Sequence, residues 1–410
     1  ASPAGAEPLA ITHAEAWTLE DDQPVRDATI LIENGKIVSV TPAGGVPADA
    51  RVIDARGKPV TPGLVNAATQ IGLVEVAGSP DTSDTSSADD RNPGYDLSRA
   101  LNGNSTLVSL ARADGLTRAL IYPAPSRRAP FSGEPAFARL RDGVDILDVA
   151  DVGVYVVIGG GAWERLGSRA AQWTALRDAL DEARRGADAP PAEDRKGGRR
   201  GHAGGPPESG HRGGDNPLRA VLAGDIPLAI QTHRESDIRQ AAALAKDFGI
   251  RVIIIGGAEA WRAADALAAA KVAVVLDPHA NLPATFDQLG VRQDKATLLV
   301  KAGVRVAVGQ AGGAIHANYN AGMGLREGAG LTVANGLPYI EALRTVTVNP
   351  LAIWGRGGGT LTAGTDADLV VWDGDPLEPS TNALNVIVEG RETAIRSRQD
   401  QLAERYKDVR

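Results

Sequence analysis

Seven short apolar segments alternate with helical stretches through the middle of the chain, and this alternation constrains the fold more than any other feature. The segments have the length and side-chain content of buried strands, and apolar residues recur every three or four positions in the stretches between them. The strand candidates are Leu64 to Asn66, Arg118 to Tyr122, Val152 to Ile158, Pro227 to Ile230, Arg251 to Ile255, Val272 to Leu276 and Val304 to Val308. The helix candidates are Leu97 to Ala113, Ser168 to Arg185, Asp237 to Phe248, Glu259 to Ala270 and Pro338 to Val348. The pattern predicts an α/β fold, a (β/α)8 TIM-like barrel over residues 61–357, because parallel strands need crossover helices between them.

The two ends of the chain carry strand patterns of a different kind. In "ATILIENGKIVSV", from Ala28 to Val40, apolar residues alternate around Asn34-Gly35, a pair typical of two-residue hairpin turns. Strand patterns return in "ADLVVWDGDP" and "NVIVEG" near the C-terminus. We therefore predict a small β-sandwich domain formed from both chain ends, residues 1–60 and 358–395, followed by a helical tail over residues 396–410.

One stretch interrupts the α/β pattern. Residues 185–216 contain nine Gly and four Pro but no Val, Ile, Leu or aromatic residue. Such a composition cannot form a packed core, so we expect a mobile surface insertion. His202 and His211 lie within it, and solvated linker histidines are favoured there over metal ligands.

Charge and composition exclude several functions. The net charge of −8 argues against a general nucleic-acid surface, since phosphate binding depends on clustered Lys and Arg. No run of about 20 apolar residues is present, so we expect no membrane span. The chain has no Cys, which excludes thiol nucleophiles and thiolate metal sites.

The beginning of the sequence bears on the compartment. The chain starts "ASPAGAEPLA" without Met, and a small, Ala-rich start is what signal-peptidase cleavage leaves. We expect a periplasmic or secreted protein, with a cytoplasmic one as the alternative.

Five long motifs, taken in order, resemble the amidohydrolase superfamily, in particular its imidazolonepropionase-like and dipeptidase-like branch. They are "VIDARGKPVTPGLVNA", "PLAIQTHRESDI", "LAKDFGIRVIIIGGAEAW", "GLPYIEALRTVTVNPLAIWG" and "GTLTAGTDADLVVWDGDP". The likeness covers nearly the whole chain. It implies hydrolysis of amide-like C–N bonds by one or two metals at the strand ends, which lower the pKa of a bound water.

The metal ligands that this resemblance implies are largely replaced. After the first barrel strand the family has Pro-Gly-Leu, three residues and then His-x-His; here "PGLVNA" is followed by Ala68 and, two residues later, Gln70. No Lys lies between Lys58 and Lys196, so a bridging carboxylated Lys is excluded from the first four strands. Gln231 stands where the first His after strand 5 is expected.

Two later strands show the same losses. The His expected after strand 6 falls within the stretch from Ile255 to Ala258, which includes Gly256. The Asp expected after strand 8 falls within the stretch from Gly309 to Gly313, which includes Gln310 and Ala311. None of these residues is an acid or an imidazole. The usual general base is therefore missing as well as the metal ligands.

The remaining polar residues define a candidate site at the barrel mouth. The catalytic candidates are His233, Gln70, Gln310 and Glu259. The expected ligand pocket is lined by Ala68, Gln70, Gln231, His233, Gly256 and Ala311. His233, His279 and His316 follow predicted strands 5, 7 and 8 and are the weak candidates for a rearranged mononuclear site. We expect no cofactor, with zinc as the alternative; packing or loop histidines are the favoured interpretation.

Two functional hypotheses follow. The first is a non-catalytic subunit that associates, as a homo- or hetero-oligomer, with an amidohydrolase-like chain and retains a small-molecule site in the barrel mouth. The second is an active hydrolase of amide or peptide-like C–N bonds that uses a rearranged metal site or no metal. A periplasmic binding module is a third possibility. Fold likeness alone does not decide among them.

Overall fold

The computed structural model describes residues 7–76, 78–86, 93–125, 130–160, 167–187, 216–311, 315–395 and 398–407. The strands are β1 (Leu9–Ala16), β2 (Val25–Glu33), β3 (Lys36–Pro42), β4 (Arg51–Asp54), β5 (Pro59–Pro62), β6 (Leu64–Thr69), β7 (Leu116–Ile121), β8 (Phe131–Gly133), β9 (Ala136–Arg139), β10 (Leu147–Val149), β11 (Val154–Val157), β12 (Leu228–Thr232), β13 (Val252–Gly256), β14 (Ala273–Leu276), β15 (Val306–Val308), β16 (Leu369–Trp372), β17 (Ala383–Val388) and β18 (Arg391–Glu392). The α-helices are α1 (Thr106–Ala113), α2 (Arg169–Ala187), α3 (Leu218–Ala223), α4 (Glu235–Phe248), α5 (Ala264–Ala269), α6 (Lys295–Lys301), α7 (Ile315–Tyr319), α8 (Met323–Ala334), α9 (Tyr339–Thr345), α10 (Val348–Ile353) and α11 (Arg398–Tyr406).

Several predicted boundaries differ from the observed ones. The stretch predicted as one helix from Leu97 to Ala113 is broken, and α1 begins only after Ser105, whose side chain accepts the Leu107 N–H as an N-cap. Helix α2 continues to Ala187, so it covers the first residues of the predicted insertion. The rest of that insertion, with His202 and His211, lies outside the described residues.

The seven predicted barrel strands coincide with β6, β7 and β11 to β15. Strands β11 to β15 form a parallel ladder in chain order, and β6 pairs in parallel with β7. At the other edge, the Gln310 N–H donates to the Ala68 carbonyl at 2.9 Å, which links the end of β15 to β6. Parallel strands joined by helices give a TIM-barrel-like α/β fold.

One position departs from a regular β/α repeat. Strand β8 pairs antiparallel with β11, through Gly133 and Tyr155, and β9 pairs antiparallel with β7, through Ala136 and Ile121. The chain therefore connects β7 to β11 through short antiparallel strands, in a region for which no helix was predicted. A closed eightfold barrel stays a prediction.

The two faces of the strands pack against different neighbours. Along β11, Val154 and Val156 belong to the core between strands and outer helices, whereas Tyr155 belongs to the core enclosed by the strands. In β13, Ile253 and Ile255 face that same inner core. Because of this alternation, apolar side chains fill the interior, as in TIM barrels. Polar side chains that could bind a ligand are then expected at the strand ends.

Both chain ends meet in one eight-stranded sheet, with the order β18-β17-β16-β5-β1-β2-β3 and β4 paired to β1. The predicted hairpin is confirmed: Glu33 pairs with Lys36, and Asn34 and Gly35 have φ values of 50° and 77°, as a two-residue turn of this kind requires. The further division of this sheet into two packed layers, as in a sandwich, stays a prediction.

A charge network joins this sheet to the barrel strands. Arg118 on β7 donates to the Asp368 carboxylate at 2.6 Å. Arg139 on β9 donates to Asp366 and to Glu389, both at 2.7 Å. Since the two arginines are at most 7% exposed, their charges depend on these carboxylates. Within the described residues, no helix has the length and apolar character that crossing a bilayer requires.

Candidate functional site

The C-terminal ends of β6, β7, β11 and β12 carry a layer of neutral side chains. Tyr155 donates its hydroxyl hydrogen to Gln231 Oε1 at 3.0 Å, and its ring stacks on Tyr122 with 5.1 Å between centroids. Gln70 donates from Nε2 to the Tyr122 carbonyl at 3.4 Å. Burial raises the pKa of the Tyr155 hydroxyl well above its ordinary value, so this phenol stays neutral at physiological pH. Ala68 is fully buried beside these groups.

The two tyrosines complete a site that the sequence predicted only in part. The positions of Gln70 and Gln231 follow from the family motif, but their partners Tyr122 and Tyr155 come from other strands. The only available signal was that Tyr122 ends one predicted strand and Tyr155 lies within another. Their rings and hydroxyls occupy these strand ends with groups that are poor zinc ligands.

His233 occupies space beside Gly256 on the next strand. A Cβ atom added to Gly256 would lie 2.5 Å from His233 Cε1, and Gly256 has a φ of +92°. Burial lowers the pKa of His233 below its ordinary 6.5; Asp287 opposes this effect and Lys295 adds to it. The imidazole is therefore neutral at pH 7, and its buried Nδ1 has no hydrogen-bond partner within the described ranges.

Lys295 is a buried cation that the sequence did not identify. It begins α6, is 2% exposed, and donates from Nζ to the Ala280 carbonyl at 2.7 Å. Burial lowers its pKa from 10.5 to about 8, although the nearby Asp277 favours the charged form. The available signal was its place on the helix face that also buries Ala296 and Leu299.

His279, the candidate that follows β14, has hydrogen-bond partners of its own. His279 makes a 2.9 Å hydrogen bond from Nε2 to the Gly324 carbonyl, and its N–H donates to Asp277. His316 lies in α7, but its side chain falls outside what the structure describes. Within the described ranges, no group of three or more His, Cys, Asp or Glu side chains is arranged to hold a metal ion.

Glu259 and Gln310 are both buried, but their contacts differ. The two oxygens of Glu259 accept backbone N–H groups, Oε2 from Glu235 at 2.9 Å and Oε1 from Gly290 at 3.0 Å. Gln310, 3% exposed, packs against Gly324, and its Oε1 has no hydrogen-bond partner. Glu259 is thus committed to the backbone, and Gln310 is an amide that cannot take up a proton as the expected Asp would. The neighbouring Ala311 is half-buried.

Comparison with known proteins accounts for this architecture. Residues 229–393 match the sequence model of the amidohydrolase family. This matched part, from β12 to the C-terminal strands, is similar to the amidohydrolase family. Over 57 residues it is 46% identical to amidohydrolase tasK of Hapsidospora irregularis, a stretch that makes up 13% of this chain and only 6% of that protein.

Solved amidohydrolase structures share the whole fold. The crystal structure of an amidohydrolase from Thermotoga maritima superposes with a TM-score of 0.81 and 23% identity, over 95% of this chain and 100% of that one. A prolidase crystallised with N-methylphosphonate-L-proline superposes with a TM-score of 0.59 and 16% identity, over 94% and 99% of the two chains. At these identities the likeness establishes the fold and leaves the activity open.

The side chains at these strand ends differ from the zinc ligands that the family resemblance implies. The resemblance implies ligands at Ala68, Gln70 and Gln231 and within the stretch from Ile255 to Ala258, and an activating Asp in the stretch that follows Val308 and includes Gln310. Amide oxygens are weak neutral donors, and Gly256 offers no side chain at all. Among the described side chains, the buried Nδ1 of His233 has no hydrogen-bond partner.

Proposed function

We propose that this protein is a non-catalytic amidohydrolase subunit that acts as a partner of a chain that retains its metal ligands. The observation that carries the proposal is the replacement of ligands on separate strands, together with their new contacts. Tyr155 hydrogen-bonds Gln231, and the His233 ring lies where a side chain at residue 256 would begin. Such substitutions preserve a packed interior but leave no donor set for zinc.

The proposal includes the finer architecture that such a subunit would have. The hydrogen bond between Gln310 and Ala68 supports closure of the barrel between β15 and β6. The pairing of β5 with β16 supports a single domain made from both chain ends. An intact barrel and end domain would let the chain keep an association surface after losing its chemistry.

Metal analysis combined with an activity assay tests this function. Native, untagged protein is purified after growth with added zinc, and its zinc content and hydrolysis of dipeptides and N-acyl amino acids are measured. We expect well under one zinc per chain, no hydrolysis, and recovery of an intact amidohydrolase with the chain from its native host. Stoichiometric zinc with sustained turnover would contradict the proposal.

A second candidate function is hydrolysis of amide or peptide-like C–N bonds by a rearranged site. It is supported by the neutral His233 imidazole with its open Nδ1, and by the electrostatic influence of Lys295 on it. If this function is correct, His233→Ala lowers kcat at least about 100-fold, the usual contribution of a general base. The exposed His13 provides the control, because His13→Asn tolerates its φ of 51° and leaves the barrel unchanged.

A further inference from the structure

A hollow of about 770 Å³ lies at the C-terminal ends of β12, β13 and β14, where the loops after these strands meet α2 and α4. We call it the arginine hollow. The side chains that line it and bear on its chemistry are Arg234, Arg262, Glu259, Asp287, Phe286 and Leu289. Its volume is within the range of small-molecule sites.

The acids of the arginine hollow already have partners. Both oxygens of Glu259 accept backbone N–H groups. Asp287 accepts the Gly160 N–H at 2.7 Å and also pairs with Arg169. The oxygens of these carboxylates therefore accept hydrogen bonds from protein groups, and the two side chains form part of the wall of the hollow.

Two arginines that line the hollow retain guanidinium N–H groups that could bind a ligand. The Arg234 guanidinium makes no hydrogen bond or ion pair within the described part of the chain, and Arg234 immediately precedes α4. Arg262 is held over the Trp261 ring, 5.1 Å from its centroid, with only a 3.7 Å contact to Glu259. The N-terminal end of α4 adds a positive dipole beside them. The hollow thus presents positive charge in a protein whose net charge is −8.

Two exposed apolar side chains border these cations. Phe286 is 90% exposed and Leu289 is 64% exposed, both on the loop that follows β14. An aromatic and an aliphatic side chain beside guanidinium groups match a ligand with an apolar body and an anionic end.

We propose that the arginine hollow binds a small organic carboxylate, with the carboxylate on Arg234 and Arg262 and the apolar part on Phe286 and Leu289. This site is separate from the layer of Tyr155 and Gln231, and it does not depend on whether the barrel is catalytic. A phosphate would use the same guanidinium donors but would gain nothing from the two apolar side chains.

Isothermal titration with 3-phenylpropionate tests the proposal on the full chain. We expect saturable binding to the native protein, weaker binding of 3-phenylpropionamide, and the weakest binding of inorganic phosphate. Arg234→Ala and Arg262→Ala should each weaken binding of 3-phenylpropionate about tenfold, as loss of a charge-assisted hydrogen bond implies. Phe286→Ala should weaken it about threefold or more.

The control variant is Arg26→Ala, which removes the same charge from an 82% exposed side chain on the end sheet. It should bind 3-phenylpropionate as the native protein does, and circular dichroism should show that every variant is folded. Absence of binding at low-millimolar 3-phenylpropionate overturns the proposal. Unchanged affinity after Arg234→Ala and Arg262→Ala together, or phosphate binding as tight as that of 3-phenylpropionate, also overturns it.

Discussion

At the scale of single residues, Gly256 and His233 depend on each other. The glycine has a left-handed φ of +92°, and the imidazole fills the space that its side chain would take. A histidine could not be introduced at residue 256 without moving His233. The glycine at residue 256 and the position of the His233 ring are therefore parts of one packing arrangement.

We expect Gly256→Ala to lower the free energy of unfolding by roughly 2–4 kcal/mol, because it adds backbone strain and a steric clash with the ring. Gly249→Ala is the control, since Gly249 also has a positive φ, +67°, but no atom within 4 Å of an added Cβ. It should cost about 1–2 kcal/mol. In the double variant Gly256→Ala with His233→Ala, the loss of unfolding free energy should fall to that of Gly249→Ala. If denaturant titrations give the same loss for Gly256→Ala and Gly249→Ala, the contact between Gly256 and the His233 ring is contradicted.

The sequence motif indicated where Ala68 and Gln70 lie but did not indicate the contacts made at these strand ends. Ala68 and Gln70 follow the motif "PGLVNA", so the sequence alone predicted that they lie at the end of β6. The Tyr155 to Gln231 hydrogen bond joins residues 76 positions apart, and no local pattern encodes it. Lys295 was missed because a charged residue at a helix start ordinarily faces solvent, and only tertiary packing buries it.

At the scale of elements, one carboxylate fixes the start of α4 against the loop after β14. Glu259 lies beyond β13 and accepts the first N–H of α4 and the Gly290 N–H. The first N–H groups of a helix have no intrahelical partners. Glu259, which is distant in the sequence, therefore acts as an N-terminal cap for α4. The sequence suggested Glu259 as a catalytic candidate because polar residues at strand ends are often functional.

We predict that Glu259→Gln destabilises the fold by about 1–3 kcal/mol, because one oxygen acceptor becomes an amide donor. Hydrogen exchange should quicken at the Glu235 and Gly290 amides. Glu235→Gln serves as the control, since the Glu235 carboxylate pairs with Arg239 on the surface and should contribute less than about 0.5 kcal/mol. Unchanged exchange at both amides in Glu259→Gln would show that the carboxylate does not hold this junction.

At the scale of the whole molecule, the charge network of Arg118 and Arg139 joins the barrel strands to the end sheet. Burial alone would raise the pKa of Asp366, but hydrogen bonds from Lys36 and Arg139 lower it well below its ordinary 3.8. A carboxylate with a lowered pKa stabilises the folded state above its unfolded pKa. That contribution is lost as the pH falls through the folded pKa.

We therefore expect Asp366→Asn to cost about 2 kcal/mol of stability at pH 7, since two buried guanidinium groups lose a shared partner. The difference from the native protein should shrink as the pH falls below about 4, because Asp366 then binds a proton in the unfolded chain while it is still ionised in the native protein. Thermal denaturation between neutral and acidic pH measures this. Asp265→Asn, at a 77% exposed side chain, should show little effect at any pH; a pH-independent difference for Asp366→Asn would contradict the role of its charge.

The composite sheet also has a consequence for biosynthesis. Val60 on β5 pairs with Val371 on β16. The pairing between β5 and β16, in the middle of the sheet, therefore cannot form until the ribosome has made almost the entire chain. During translation β5 has an unpaired edge, and such edges invite pairing with other chains. A truncated product that ends before β16 would therefore be prone to aggregate, even with every barrel strand present.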